Sequence, residues 1–205
     1  MIFKQLYDPA TGTLSYLLGD PIGSEAALVD PVPDQAPRYR ELLRTCGLRL
    51  RHLVETRLPD THPSASPGLR EETGARLALH RAEGAACADR FLEHGDRLHF
   101  GEETVAVLHV PGVSPGAVAL HWGDRLLTGD TLLVGRLGCP AGDRGDSDSL
   151  CASVHRTLLA LPADTLVLPG RDRDGRRVSS LAQEVLTNPD LEEGPCAERL
   201  RMRCR

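Results

Sequence analysis

Aromatic residues make up only 3% of this 205-residue chain, and lysine occurs once, at Lys4. The first scarcity means that the core has to be assembled from Leu, Val and Ala. The second places nearly all positive charge on arginine. An Arg, Ala, Leu, Gly and Pro bias reads as a GC-rich genome, so one arginine by itself carries little weight. The formal charge of −5 gives no footing for nucleic acid as a partner. No apolar run approaches the roughly 18 to 20 residues of a membrane helix, so no membrane partner is expected. The opening MIFKQLYDP lacks the basic-then-apolar form of a secretion signal, which makes the cytoplasm the expected compartment. The six cysteines (Cys46, Cys87, Cys139, Cys151, Cys196, Cys204) include no C-x-x-C pair, which argues against a structural zinc site. Without a secretion signal a disulfide framework is not expected either, and the cysteines read as buried or surface thiols.

What is present is the composition of an ordinary globular protein, 40% hydrophobic and 26% charged, long enough for one domain with a full core. Short apolar runs separated by Gly, Pro and Asp (Phe3 to Tyr7, Leu14 to Leu18, Ala26 to Pro31) predict an antiparallel meander. Tyr39, Leu42 and Leu43 share one face of a helix over Ala36 to Cys46, and Gly47 stops it. A strand ending at Glu55 follows, then a Pro- and Ser-rich loop and a helix around Gly68 to Thr73. Further strands are expected at Arg97 to Phe100, Thr104 to Val110, Ala117 to Trp122, Arg125 to Thr128 and Leu166 to Leu168. Helices are expected at Ser149 to Leu161 and Ser179 to Thr187. Two β-rich halves with interspersed helices fit an α/β fold of two mixed sheets packed face to face, helices outside. The charged segment 192–205 reads as a flexible tail after a domain spanning 1–191.

Several spaced motifs resemble one family. They are MIFKQLYDP, Leu28-Val29-Asp30-Pro31-Val32, Glu55-Thr56, Ala88-Asp89-Arg90 and Val110-Pro111-Gly112-Val113-Ser114-Pro115-Gly116. Thr128-Gly129-Asp130-Thr131-Leu132, Ser153-Val154-His155, Leu161-Pro162, Pro169-Gly170-Arg171-Asp172, Gly175-Arg176 and Asn188-Pro189 continue the series. Together they resemble the persulfide dioxygenases, the glyoxalase-II-like branch of the metallo-β-lactamase fold, over roughly residues 1 to 191. The resemblance implies a four-layer αβ/βα sandwich. It also implies one non-haem Fe(II) held by two histidines and an aspartate, with open positions for a persulfide and O₂. Carried over, the histidine positions are Arg57 and Val113, and the carboxylate is Asp130. The superfamily's T-H-x-H-x-D-H stretch stands here as Thr56-Arg57-Leu58-Pro59-Asp60-Thr61-His62. Second-metal positions of related hydrolases fall at Thr61, His62, Asp130 and Arg171. The family's thiol-binding loop G-C-G-R-T-D-F aligns with Arg136 to Gly142, which places Cys139 where its substrate-contacting arginine would be.

An arginine about 4 Å from a divalent ion is repelled by roughly 8 kcal/mol at an effective dielectric of about 20. A guanidinium can instead replace the metal's charge by pairing with Asp130. No metal is therefore expected; a zinc ion on Asp60, His62 and Asp130 is the alternative. Asp130 reads either as a structural carboxylate or as a catalytic one, and His62 as a lone ligand or a hydrogen-bonded residue before the next helix. Cys139 reads as a thiol activated by Arg57 and Arg171 or as a small apolar filler. The two arginines read as an anion site or as internal partners of Asp130, Asp60 or Asp172. Three functions stay open. The leading one is a metal-free protein binding or transforming a small anionic thiol, acyl or carboxylate metabolite, with Arg57, Asp130, Arg171 and His62 supplying charge stabilisation and proton transfer. The others are a rebuilt zinc hydrolase and a non-catalytic structural or regulatory protein. The family leaves room for a homodimer.

Overall fold

Both faces of most strands are covered, which explains why β2 (Leu14–Asp20) has seven buried residues in a row instead of an apolar–polar alternation. In the computed structural model, which describes residues 1–58, 64–84, 88–140, 142–192 and 194–204, two six-stranded mixed sheets pack face to face. The first contains β1 (Ile2–Tyr7), β2, β3 (Glu25–Val29), β4 (Arg49–Val54), β5 (Arg76–His80) and β6 (Arg90–Leu92), in that spatial order. The pairs β1–β2 and β2–β3 are antiparallel, and β3 to β6 run parallel. Crossovers between parallel strands carry α1 (Ala36–Thr45) and α2 (Ser66–Thr73) on the outer face.

The second sheet is formed by β7 (Arg97–Phe100), β8 (Glu103–His109), β9 (Val118–Trp122) and β10 (Arg125–Gly129). After the small ribbon of β11 (Leu132–Leu133) and β12 (Arg136–Leu137) comes α3 (Ser147–Ser153), extended by a π turn over Val154–Leu158. Then β13 (Leu166–Pro169) pairs parallel to β10, and β14 (Ser179–Ser180) closes the edge ahead of α4 (Leu181–Thr187). The result is the expected αβ/βα sandwich. The strands β5 and β6, not singled out in the sequence, extend the first sheet.

Alternate residues of each strand face different layers. Leu14, Tyr16 and Leu18 of β2 point between the sheets, with Phe100, Val107, Leu120, Trp122 and Leu127 of the opposite sheet. Leu17 joins Leu28, Tyr39, Leu43, Leu53 and Leu77 under α1 and α2. The scarce aromatics are thus concentrated in the middle layer, and Trp122 Nε1 donates to Glu103 Oε2 at 2.8 Å, so its polar atom is not lost on burial.

The segment after 191, expected to fray, contains α5 (Cys196–Arg203), with Leu200 fully buried against α3 and the second sheet. Its charge concealed the one apolar stripe that anchors it. Nor are the cysteines all thiols: Cys139 is bonded to Cys204, and Cys151 to Cys196. These pairs are 65 and 45 residues apart in sequence, so no local spacing could announce them.

Candidate functional site

Four strand ends converge on one cavity, all of them C-terminal ends of strands that have a parallel neighbour. Asp30 follows β3, Glu55 to Arg57 follow β4, Asp130 follows β10, and Gly170 and Arg171 follow β13. Side chains after such ends emerge between the sheets, where α/β folds place their ligands. Two backbone features make the convergence possible. Gly129 has φ +52°, and a Cβ there would come within 2.5 Å of Thr56 Oγ1, so only glycine lets the two sheets approach. Asp30 takes φ +48°, an unusual left-handed conformation for an aspartate, and its carboxylate accepts the Thr56 N–H at 2.7 Å and the Thr56 hydroxyl at 2.8 Å.

Asp130 is held by both arginines. Its Oδ2 accepts from Arg57 Nε at 2.8 Å and Nη2 at 2.6 Å, and Arg171 Nε lies 3.1 Å from each carboxylate oxygen. Arg57 Nη1 also donates to the Leu58 carbonyl at 2.9 Å. The three side chains are 9%, 16% and 17% exposed for Arg57, Asp130 and Arg171, so these charge-assisted bonds are largely shielded from water. Val113 is buried near Asp130: Gly138 lies so near both the Asp130 carbonyl and Val113 Cγ2 that a side chain there would collide with them.

Asp30 and Glu55, which the sequence marked only as parts of a frame, form the opposite wall. Burial pushes Asp30 up to about 7, against the pull of the Thr56 bonds. Burial, reinforced by the nearby Asp30 charge, pushes Glu55 up to about 8, although the hydroxyls of Ser64 and Ser66 donate to Glu55 Oε1. An acidic residue directly after a wholly apolar strand end was the signal that could have flagged both. Glu83 was also missed. Buried, it accepts from the Leu58 N–H at 3.1 Å, the Gly116 N–H at 3.0 Å and the Ser114 hydroxyl, and Arg144 Nη2 lies 3.3 Å away. It ties the loop carrying Arg57 to the loop carrying Val113. Between these walls the cavity is about 30 Å³, room for one or two waters.

The expectations for the remaining residues separate. Arg57, Asp130 and Arg171 are brought together. Asp60 and His62, with Pro59 and Thr61, lie outside the described residues. Cys139 is neither an activated thiol nor a small apolar filler: it is exposed, its sulfur is bonded to Cys204, and Arg203 Nη1 lies 3.9 Å away.

No protein-family model matches the chain. Human mitochondrial persulfide dioxygenase ETHE1 is 36% identical over 194 residues, covering 93% of this chain and 76% of that protein. The chain belongs to the persulfide dioxygenase branch of the metallo-β-lactamase superfamily. A crystal structure of ETHE1 from Myxococcus xanthus matches this chain with a TM-score of 0.94 and 37% identity, over 98% of this chain and 89% of that one. The hydroxyacylglutathione hydrolase of Cereibacter sphaeroides is 32% identical over 219 residues, 89% of this chain and 84% of that enzyme.

The iron that the persulfide dioxygenase resemblance implies does not fit the described residues. A divalent ion on Asp130 would take the oxygens already given to Arg57 and Arg171, and would meet two guanidiniums at close range. Each such contact costs roughly 8 kcal/mol at about 4 Å and an effective dielectric of about 20. The Val113 side chain offers no ligating atom. Among the described residues no three His, Cys, Asp or Glu side chains form a group able to hold a metal ion.

Proposed function

We propose that this chain is a metal-free, non-catalytic member of the persulfide dioxygenase branch, in which the Arg57–Asp130–Arg171 cluster has taken the place of the metal. The observation that carries this reading is the use of Arg57 Nε and Nη2, the fork that would grip a ligand carboxylate, on the protein's own Asp130. A ligand carboxylate gripped by the Arg57 fork would have to displace Asp130, and a zinc ion on Asp130 would have to displace both arginines from its oxygens.

The test is to purify the protein without chelator or affinity tag after separate additions of iron and zinc. Metal content is then measured together with oxygen uptake on glutathione persulfide. Less than about a tenth of an equivalent of either metal, with no iron-dependent uptake, is the expected outcome. Near one equivalent, lost in Asp130→Ala and accompanied by iron-dependent uptake, would overturn it.

A further inference from the structure

Helix α5 is fastened at both ends, and the two fastenings differ. Cys196, its first residue, is bonded to Cys151 of α3, and both cysteines are buried, 7% and 8% exposed. Cys204, just after its last residue, is bonded to Cys139, which is exposed, in the loop after β12. Thiol–disulfide exchange needs a thiolate to reach a sulfur, so exposure separates the two bonds by accessibility. Charge separates them further. Arg203 Nη1 stands 3.9 Å from Cys139 Sγ, and a cation beside a sulfur stabilises the thiolate that leaves from it.

We infer that Cys139–Cys204 is a site of reversible exchange with small thiols, and that Cys151–Cys196 is the fixed hinge that keeps α5 attached while the outer bond is open. In the first step a small thiol loses its proton and attacks Cys204 Sγ. A mixed disulfide forms, the Cys139–Cys204 bond breaks, and its electron pair leaves on Cys139 beside Arg203. A second small thiol attacks the mixed disulfide at the small-molecule sulfur, releases Cys204 and departs as the symmetrical disulfide. Two thiols have been oxidised, one protein disulfide reduced, and the two protons end on Cys139 and Cys204.

The loop that opens is coupled to the cluster at the strand ends. Arg203 Nη2 donates to the Leu137 carbonyl at 2.8 Å and pairs with Asp190 at 2.8 Å. Asp190 in turn accepts the Leu137 N–H at 2.8 Å. Gly138, next in sequence, donates to the Thr131 carbonyl at 3.1 Å and lies against the Asp130 carbonyl. With Cys204 released, the end of α5 no longer holds residues 137–139 against the backbone of Asp130. This inference stands on the disulfides and not on the absence of metal, so the two can fail separately.

The experiment uses the full chain purified without reductant. It is exposed to a dithiothreitol series, quenched with an alkylating reagent, and read by peptide mass spectrometry at each cysteine. Cys139 and Cys204 are expected to become alkylated together at about tenfold lower reductant than Cys151 and Cys196. In that window amide exchange should rise at 137–139 and 200–204 but stay unchanged near Cys196. Arg203→Gln should slow the opening several-fold while leaving the inner bond alone. Alkylation of Cys139 and Cys204 before any reductant is added, simultaneous opening of both bonds, or unchanged exchange at 137–139 would each overturn the inference.

Discussion

Two walls of one cavity treat their carboxylates in opposite ways. Asp130, from the second sheet, is met by guanidiniums: Arg57 from the first sheet and Arg171 from the second. Glu55, from the first sheet, is met by the hydroxyls of Ser64 and Ser66 and by the like charge of Asp30. A hydroxyl hydrogen-bonds a carboxylate but does not offset its charge. On the Glu55 wall burial therefore wins, and the proton stays on to well above the usual carboxylate range. On the other wall the compensation is ionic. On this wall the carboxylate's charge is offset because Arg57 and Arg171 each deliver a cation to it.

Removing the acceptor on the ionic wall should have the largest effect. Asp130→Ala takes away the oxygens that receive Arg57 Nε and Nη2 and Arg171 Nε, in a shielded setting. We expect a loss of about 3 to 5 kcal/mol in denaturant unfolding, the usual result of breaking a buried pair by deleting one member. Asp130→Asn, which keeps an acceptor but removes the charge, should fall between the two proteins. A loss no greater than that of a solvent-facing carboxylate would mean that the arginines turn outward easily and the wall is not ionic at all.

The sequence let the fold be read because its information is local and repeated. The short apolar runs Phe3 to Tyr7 and Leu14 to Leu18, cut by Gly, Pro and Asp, mark strands, and the helical spacing of Tyr39 and Leu43 names a face. The strand β5 was harder: Leu77-Ala78-Leu79 is a buried run of three, too short to show a period. The pairing of Asp130 with Arg57 and Arg171 was legible only as one option among several, because it depends on 73 and 41 residues of intervening chain folding back. The upward shifts of the Asp30 and Glu55 carboxyls were not legible at all. Their state is set by how completely both sheets bury them, a property of the assembled sandwich and not of Val29-Asp30 or Val54-Glu55. The disulfides failed for the same reason of distance in sequence.

The hydroxyl wall should show itself in pH. Asp30 and Glu55 have folded values of about 7 and about 8, above the roughly 4 of an unfolded carboxyl. Between those values the unfolded chain has shed its protons while the folded one retains them. Their contribution is therefore complete below about pH 4 and is lost as pH rises through about 7 to 8. We expect unfolding free energy to fall steadily from about pH 5 to about pH 8, and the slope to flatten in the Asp30→Asn, Glu55→Gln double variant. A slope unchanged in that variant would place the titrating groups elsewhere.

The smallest effect belongs to a pair that looks as good on distance alone. Arg40 grips Glu72 with two bonds of 2.7 Å, as short as those on Asp130, yet both side chains are about half exposed. Water already solvates such charges, and salt screens what attraction remains, so geometry without burial contributes little. Glu72→Ala should leave the denaturant midpoint within experimental scatter, and the small residue should vanish in high salt. The Asp130→Ala loss, sheltered between the sheets, should persist under the same salt. A Glu72→Ala loss rivalling that of Asp130→Ala would show that the number and length of the bonds, and not the wall they sit in, decide what an ion pair contributes here.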